Sequence, residues 1–139
     1  MGIPRFSEAK PFYRAAFQRF DDATTLLNAE HNTGAVYLAG YSVECILKAL
    51  VLASIASATI RKQIQRQFRG SRGHDFEWLK LQYKTMGRPP ISGAIAKDFS
   101  LVSGWVVEIR YWTGQWNPKD AVDFIAAAER ILKWADRRF

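Results

Sequence analysis

Gly34–Ala53 reads GAVYLAGYSVECILKALVLA, apolar on nearly every side, yet it carries Glu44 and Lys48. On a helical wheel Tyr37, Tyr41, Glu44 and Lys48 follow one another at spacings of four, three and four, so they share one narrow face. Val36, Leu38, Val43, Cys45, Ile46, Leu47, Ala49 and Leu50 cover almost everything else. A helix this apolar all round belongs at the centre of a bundle, and its single polar face must look at water, a partner subunit or a ligand cleft. Two readings of the charges follow. As an exposed i, i+4 pair they contribute roughly 0.3–0.5 kcal/mol and carry no function. As a semi-buried network flanked by tyrosines they need further partners, because an isolated buried charge is too costly to persist.

Outward from this helix, helical periodicity dominates and no stretch alternates with period two. Pro11 suits a first turn, and Phe12, Ala16, Phe20, Ala23, Leu26 and Leu27 form a stripe, which predicts a helix over Lys10–Glu30. His31-Asn32-Thr33-Gly34 reads as a short turn, making the central helix (Ala35–Ser54) an antiparallel neighbour of the first. IRKQIQRQFRGSRG then predicts a short solvated helix to about Phe68 and a Gly-rich loop, with Arg61, Lys62, Arg66, Arg69 and Arg72 as either a solvated face or a patch for a nucleic-acid backbone. Asp75 is placed to cap a helix over Phe76–Thr85. After Gly87-Arg88-Pro89-Pro90, a helix starting at Ser92 or Asp98 is expected to run to Tyr111 or Trp112. Asn117-Pro118 opens the last helix, to about Arg137, with Ala121, Ile125, Ala128, Ile131, Leu132 and Ala135 buried. The expectation is an all-α, up-and-down bundle of four to five main helices, one domain over residues 1–139.

Composition narrows the classes. With 48% hydrophobic and 14% aromatic residues the chain can build a core and is not disordered. Cys45 is the single cysteine, so no internal disulfide forms and a reduced, cytoplasmic setting is expected. MGIPRFSEAKPFYR holds no secretory signal, and the longest uninterrupted apolar run, ALVLASIASATI, is shorter than the roughly 20 residues a bilayer needs, so no membrane is expected. The net charge of +7 favours an acidic partner such as nucleic acid, a nucleotide or an anionic surface. His31 and His74 are the only histidines. No metal-ligand spacing, nucleophile set or phosphate-binding glycine motif is present, so neither metal nor cofactor is expected.

Five pieces in order resemble the HEPN domain family. AAFQRFDDATTLL (15–27) is similar to its opening helix. AVYLAGYSVECILKAL (35–50) resembles its aromatic–x–x–Glu–x–x–x–Lys helix at Tyr41, Glu44 and Lys48. GHDFEWL (73–79) resembles its His-Asp element at His74 and Asp75, EIRYW (108–112) its Arg-Tyr element at Arg110 and Tyr111, and AVDFIAAAERILKWA (121–135) its closing helix. The resemblance implies a helical bundle, usually a homodimer, that binds a nucleotide or RNA and acts with a nucleotidyltransferase, in some cases as a toxin–antitoxin or defence module. It makes Tyr41, Glu44, Lys48, His74, Asp75, Arg110 and Tyr111 the expected nucleotide- or RNA-binding set.

Many family members are metal-independent ribonucleases with an Arg followed a few residues later by a His. After Arg110 this chain reads YWTGQWNPKD, without a histidine, so the pattern is not met there. Arg69-Gly-Ser-Arg-Gly-His74 fits the bare spacing, which leaves Arg69, His74 and Arg110 as the catalytic candidates. The alternatives to a binding module are thus a ribonuclease, with His74 as general base in 2′-hydroxyl attack, and a dimer whose polar network only fixes helix register.

Overall fold

The computed structural model describes residues 2–105, 109 and 111–139. Among these the chain is all-α, with no strand: α1 (Lys10–Asn28), α2 (Asn32–Ala53), α3 (Ala58–Gln67), α4 (Phe76–Thr85), α5 (Ala94–Val102) and α6 (Pro118–Asp136), with a 3-10 turn at Ser71–His74. Six helices are described, and with α3, α4 and α5 short, at 10, 10 and 9 residues, this agrees roughly with the four to five main helices expected.

α2 packs against α1, α4 and α6, and α5 packs on α6. From Val36 to Leu52 it buries residues on every side, among them Ala39, Val43, Ile46, Leu47 and Leu50. It is long and apolar enough to cross a bilayer, but 83% of its most apolar window is buried inside the bundle, as a central core helix requires. Its ends are pinned by tertiary bonds. Asn32 and Thr33, expected in a turn, form the first turn of α2 instead. The reason is that their side chains are engaged elsewhere: Thr33 Oγ1 donates to Gly114 O (2.6 Å) and accepts from Trp116 N (3.1 Å), and Asn32 Nδ2 donates to Trp116 O (3.2 Å). The 113–117 loop is thereby tied to the start of α2.

Between α1 and α2 the chain reverses with Glu30 at φ 65°, while His31 N donates to Leu26 O and Glu30 N to Leu27 O. This is a Schellman closure with glutamate where glycine is usual. α1 returns to α6 through Tyr13 Oη, which donates to Asp136 Oδ1 at 2.6 Å, and burial with that carboxylate pushes the phenol up to about 12. α5 is clamped to α6 by Asp98, which accepts three bonds of 2.8–3.0 Å from the Arg130 fork. α6 begins where Asn117 Oδ1 accepts from Lys119 N and Asp120 N, just before Pro118.

The expected helix to Tyr111 or Trp112 ends early, at Val102. Ser103 Oγ donates back to Ser100 O, Trp105 N to Val102 O, and the chain turns so that Trp105 enters the core at 3% exposure. Its indole lies flat on α2 at Gly40 and stacks on Phe76 at 5.4 Å and 5°. A methyl group on Gly40 would stand 2.2 Å from that ring, so only glycine lets the indole seat. Gly40→Ala is accordingly expected to cost about 1–3 kcal/mol, read by urea denaturation with tryptophan fluorescence. An unchanged midpoint would show that Trp105 does not rest there.

Candidate functional site

Glu44 is 1% exposed and Lys48 6%, which decides between the two readings of the opening stretch: the pair is buried. Lys48 Nζ donates to Glu44 Oε2 at 2.8 Å. The other oxygen, Oε1, lies 2.8 Å from His74 Nδ1. A buried carboxylate is tolerable only when its lone pairs are met, and here each oxygen has its own donor. The charged end of α2's polar face, Glu44 and Lys48, therefore looks neither at water nor at a cleft. It looks at His74 and at two aromatic rings, since Lys48 Nζ sits 5.6 Å from the Phe12 centroid and 5.4 Å from that of Phe68. Those rings replace part of the ammonium's lost hydration.

His74 reaches Glu44 because of its neighbours in GHDF. Gly73 packs on the end of α3 so closely that a Cβ would lie 2.0 Å from Phe68 O. Asp75 ends the turn and caps α4, accepting from Glu77 N (2.9 Å) and Trp78 N (3.3 Å) through Oδ1. Phe76 drops into the core under Trp105. Glycine, cap and aromatic anchor together fix the histidine between them. The carboxylate has no proton to give, so His74 Nδ1 is the donor, and Nε2 has no partner among the described residues. The imidazole is 40% exposed. The chain thus presents to solvent one nitrogen of a ring oriented from behind by a buried carboxylate.

The other expected residues fall in different places. Asp75 is engaged as a cap. Tyr41 is half-buried, one turn before Cys45; that thiol, burial and Glu44 all push its phenol upward. Burial lifts Cys45 to about 12, so it is a neutral packing group. Tyr111 is 70% exposed, and Arg110 lies outside the described residues. Arg69 is exposed and makes no side-chain bond to the described residues, while Arg72 Nη1 reaches only Gln67 Oε1, at 3.5 Å. Arg66 and Lys62 are exposed as well.

Arg61 does not belong with that basic surface. It is buried, donates to Ile55 O and Ala56 O at 2.7 and 2.9 Å, lies 3.3 Å from Glu8 Oε2, and stacks 3.8 Å over Phe6. Those contacts tie the segment before α1 to the α2–α3 turn. Sequence reasoning missed Phe12, Phe68 and Gly73. Only the glycine left a signal, its place directly before the His-Asp pair. Among the described residues no group of three or more His, Cys, Asp or Glu could hold a metal ion.

A family model of the HEPN domain matches residues 9–138. No curated protein and no solved structure matches the chain.

Two outcomes follow from the site's geometry. Glu44→Ala strands the Lys48 ammonium in the core and is expected to cost about 3–5 kcal/mol, whereas the double variant Glu44→Leu, Lys48→Met recovers at least about 1 kcal/mol of that loss. Chemical denaturation of the three proteins decides it, and a single-variant cost under about 0.5 kcal/mol would mean a hydrated surface pair. Gly73→Ala should push the turn off α3 and cost about 1–3 kcal/mol. A crystal structure of that variant with His74 still on Glu44 would refute the role given to the glycine.

Proposed function

The chain belongs to the HEPN domain family, and from that premise we propose that it binds RNA or a nucleotide at the turn carrying Arg69, Arg72 and His74. The observation that carries this reading is the His74 imidazole, 40% exposed, held through Nδ1 by buried Glu44 and with Nε2 unbonded among the described residues. Arg66, Arg69 and Arg72 are exposed around the same turn on a chain of net charge +7. Guanidinium groups in that setting take phosphate oxygens and position a strand without reading its sequence. The oriented nitrogen adds a directed bond, to a phosphate oxygen or a ribose hydroxyl. Glu44 and Lys48 support this from inside the bundle and do not touch the ligand.

A second reading, metal-independent RNA cleavage, is favoured by the same hydrogen bond. A carboxylate behind an imidazole fixes its tautomer and stabilises the imidazolium that forms when Nε2 accepts a proton. His74 would remove the proton of a 2′-hydroxyl as its oxygen attacks the adjacent phosphorus; the P–O5′ bond breaks, leaving a 2′,3′-cyclic phosphate, and the departing 5′-oxygen takes a proton from the imidazolium or water, while Arg69, at the family's Arg–His spacing, would hold the phosphate. The working assembly we propose, a homodimer acting with a nucleotidyltransferase in the cytoplasm, within a toxin–antitoxin or defence module, rests on the family resemblance.

Fluorescence anisotropy with a short single-stranded RNA in EDTA, over a salt series and with the products run on a denaturing gel, tests both readings. Affinity is expected to fall with salt, and Arg69→Gln and Arg72→Gln each to flatten the log–log slope by about 0.7. His74→Ala should weaken binding and, where the wild type cleaves, abolish cleavage. RNA and nucleotide affinities that all three variants leave unchanged would overturn the assignment of this turn.

A further inference from the structure

A second basic feature lies at the other end of α2. A cavity of about 440 Å³ opens there, and its walls include Arg5, Phe6, Ser54, Arg88, Arg138 and Phe139. Ser54 lies ten residues beyond Glu44, about 15 Å along the helix direction at ~1.5 Å per residue, so this is not the His74 surface. The three arginines come from parts of the chain far apart in sequence: the segment before α1, the α4–α5 connection, and the residues after α6. No acidic side chain lines the cavity. None of the three arginines forms an ion pair among the described residues.

Two of the three are held in place. Arg88 Nη2 donates to Arg138 O at 2.8 Å, and its guanidinium lies 5.6 Å from the Tyr83 centroid. Arg138 Nη1 donates to Trp134 O at 2.8 Å and stacks 4.1 Å over that indole. Arg88 bonds a carbonyl two residues past α6, and a cation at the end of that helix meets its last carbonyls, which explains the Arg138 bond to Trp134 O. It does not explain the rest. A guanidinium has further N–H donors, and the buried Arg88 Nε has no hydrogen-bond partner among the described residues. Nor does it explain a third arginine gathered beside the other two where no acidic side chain lines the walls and the Phe139 α-carboxylate pairs with none of them among the described residues. Arg61 also has a buried Nε without a hydrogen bond, but it has a carboxylate beside it, Glu8 Oε2 at 3.3 Å, which none of these three arginines has.

We propose that this cavity binds a compact phosphate-class anion, a pyrophosphate or the polyphosphate of a nucleotide, between Arg5, Arg88 and Arg138. Phosphate oxygens are numerous and match the guanidinium fork bidentately, so one such group can engage all three side chains. Two of those forks are already oriented by their stacking and carbonyl bonds, which lowers the ordering cost of binding.

Isothermal titration calorimetry at low salt, with inorganic pyrophosphate and separately with ATP, tests the proposal. The proteins are the wild type, Arg5→Gln, Arg88→Lys and His74→Ala, each confirmed folded by circular dichroism. Arg5→Gln alters an exposed side chain, and Arg88→Lys keeps the charge while removing the fork. Pyrophosphate is expected to bind the wild type and His74→Ala alike, and at least about tenfold more weakly to both arginine variants. ATP binding tighter than pyrophosphate and weakened by Arg5→Gln and Arg88→Lys would assign the site to nucleotides, and equal binding weakened by the same variants would assign it to the phosphates alone; both support it. Absence of binding to the wild type, or binding that both arginine variants retain in full, overturns the proposal. Loss of pyrophosphate binding in the two arginine variants, neither of which lies in the His74 turn, reads this cavity separately from the RNA reading.

Discussion

A carboxylate in the middle of a bundle's central helix cannot stand alone, and the arrangement around Glu44 follows from that constraint. One oxygen takes the ammonium of Lys48, one turn further on. That ammonium is itself buried, so α1 and the end of α3 supply Phe12 and Phe68 to face it. The second oxygen takes His74, which is brought in by a turn possible only with glycine at position 73. Remove the carboxylate and Lys48 is left uncompensated, and the histidine loses the group that orients it. The pair is thus a poor source of stability by itself and a strong source of definition. It specifies how α1, α2, α3 and the His-Asp turn sit against one another.

A second, apolar constraint runs beside it. Gly40 leaves room on α2 for the Trp105 indole, and Phe76 closes over the other face of that ring. Phe76 is two residues past His74, so the stack that fixes the segment after α5 also fixes the start of α4 and the turn before it. α2 serves three regions along its length. Its first turn holds the 113–117 loop through Asn32 and Thr33. Its middle holds His74. Its end forms a wall of the arginine-lined cavity.

The parts of this plan that were legible in the sequence are those specified locally. The α4 limits follow from the Asp75 cap, the start of α6 from Asn117-Pro118, and the centrality of α2 from its apolar surround. The parts that were not legible depend on distant partners. An i, i+4 Glu–Lys pair has the same spacing whether exposed or buried, and only Phe12, Phe68 and His74 decide it. α5 stops at Val102 because Trp105 must reach Gly40, 65 positions earlier in the chain. Asn32 and Thr33 read as turn residues because nothing nearby reveals that residues 114 and 116 will occupy their side chains. Arg61 looks like one more surface arginine until Glu8, Phe6 and two carbonyls close around it. Of the expected binding set, Glu44, Lys48 and His74 converge in space, Asp75 is a helix cap, and Tyr41 is half-buried beside Cys45.

The functional account rests on a division of labour between a buried, charged interior and one exposed imidazole nitrogen, and the most direct test is the state of that ring. Long-range nitrogen–proton NMR on the histidine side chains reports which nitrogen carries the proton. In the wild-type protein at neutral pH, His74 is predicted to carry it on Nδ1, with the proton protected from solvent exchange, and Glu44→Gln should remove that protection. A His74 ring protonated only at Nε2, or one exchanging freely in both proteins, would contradict the claim that Glu44 holds the histidine for function.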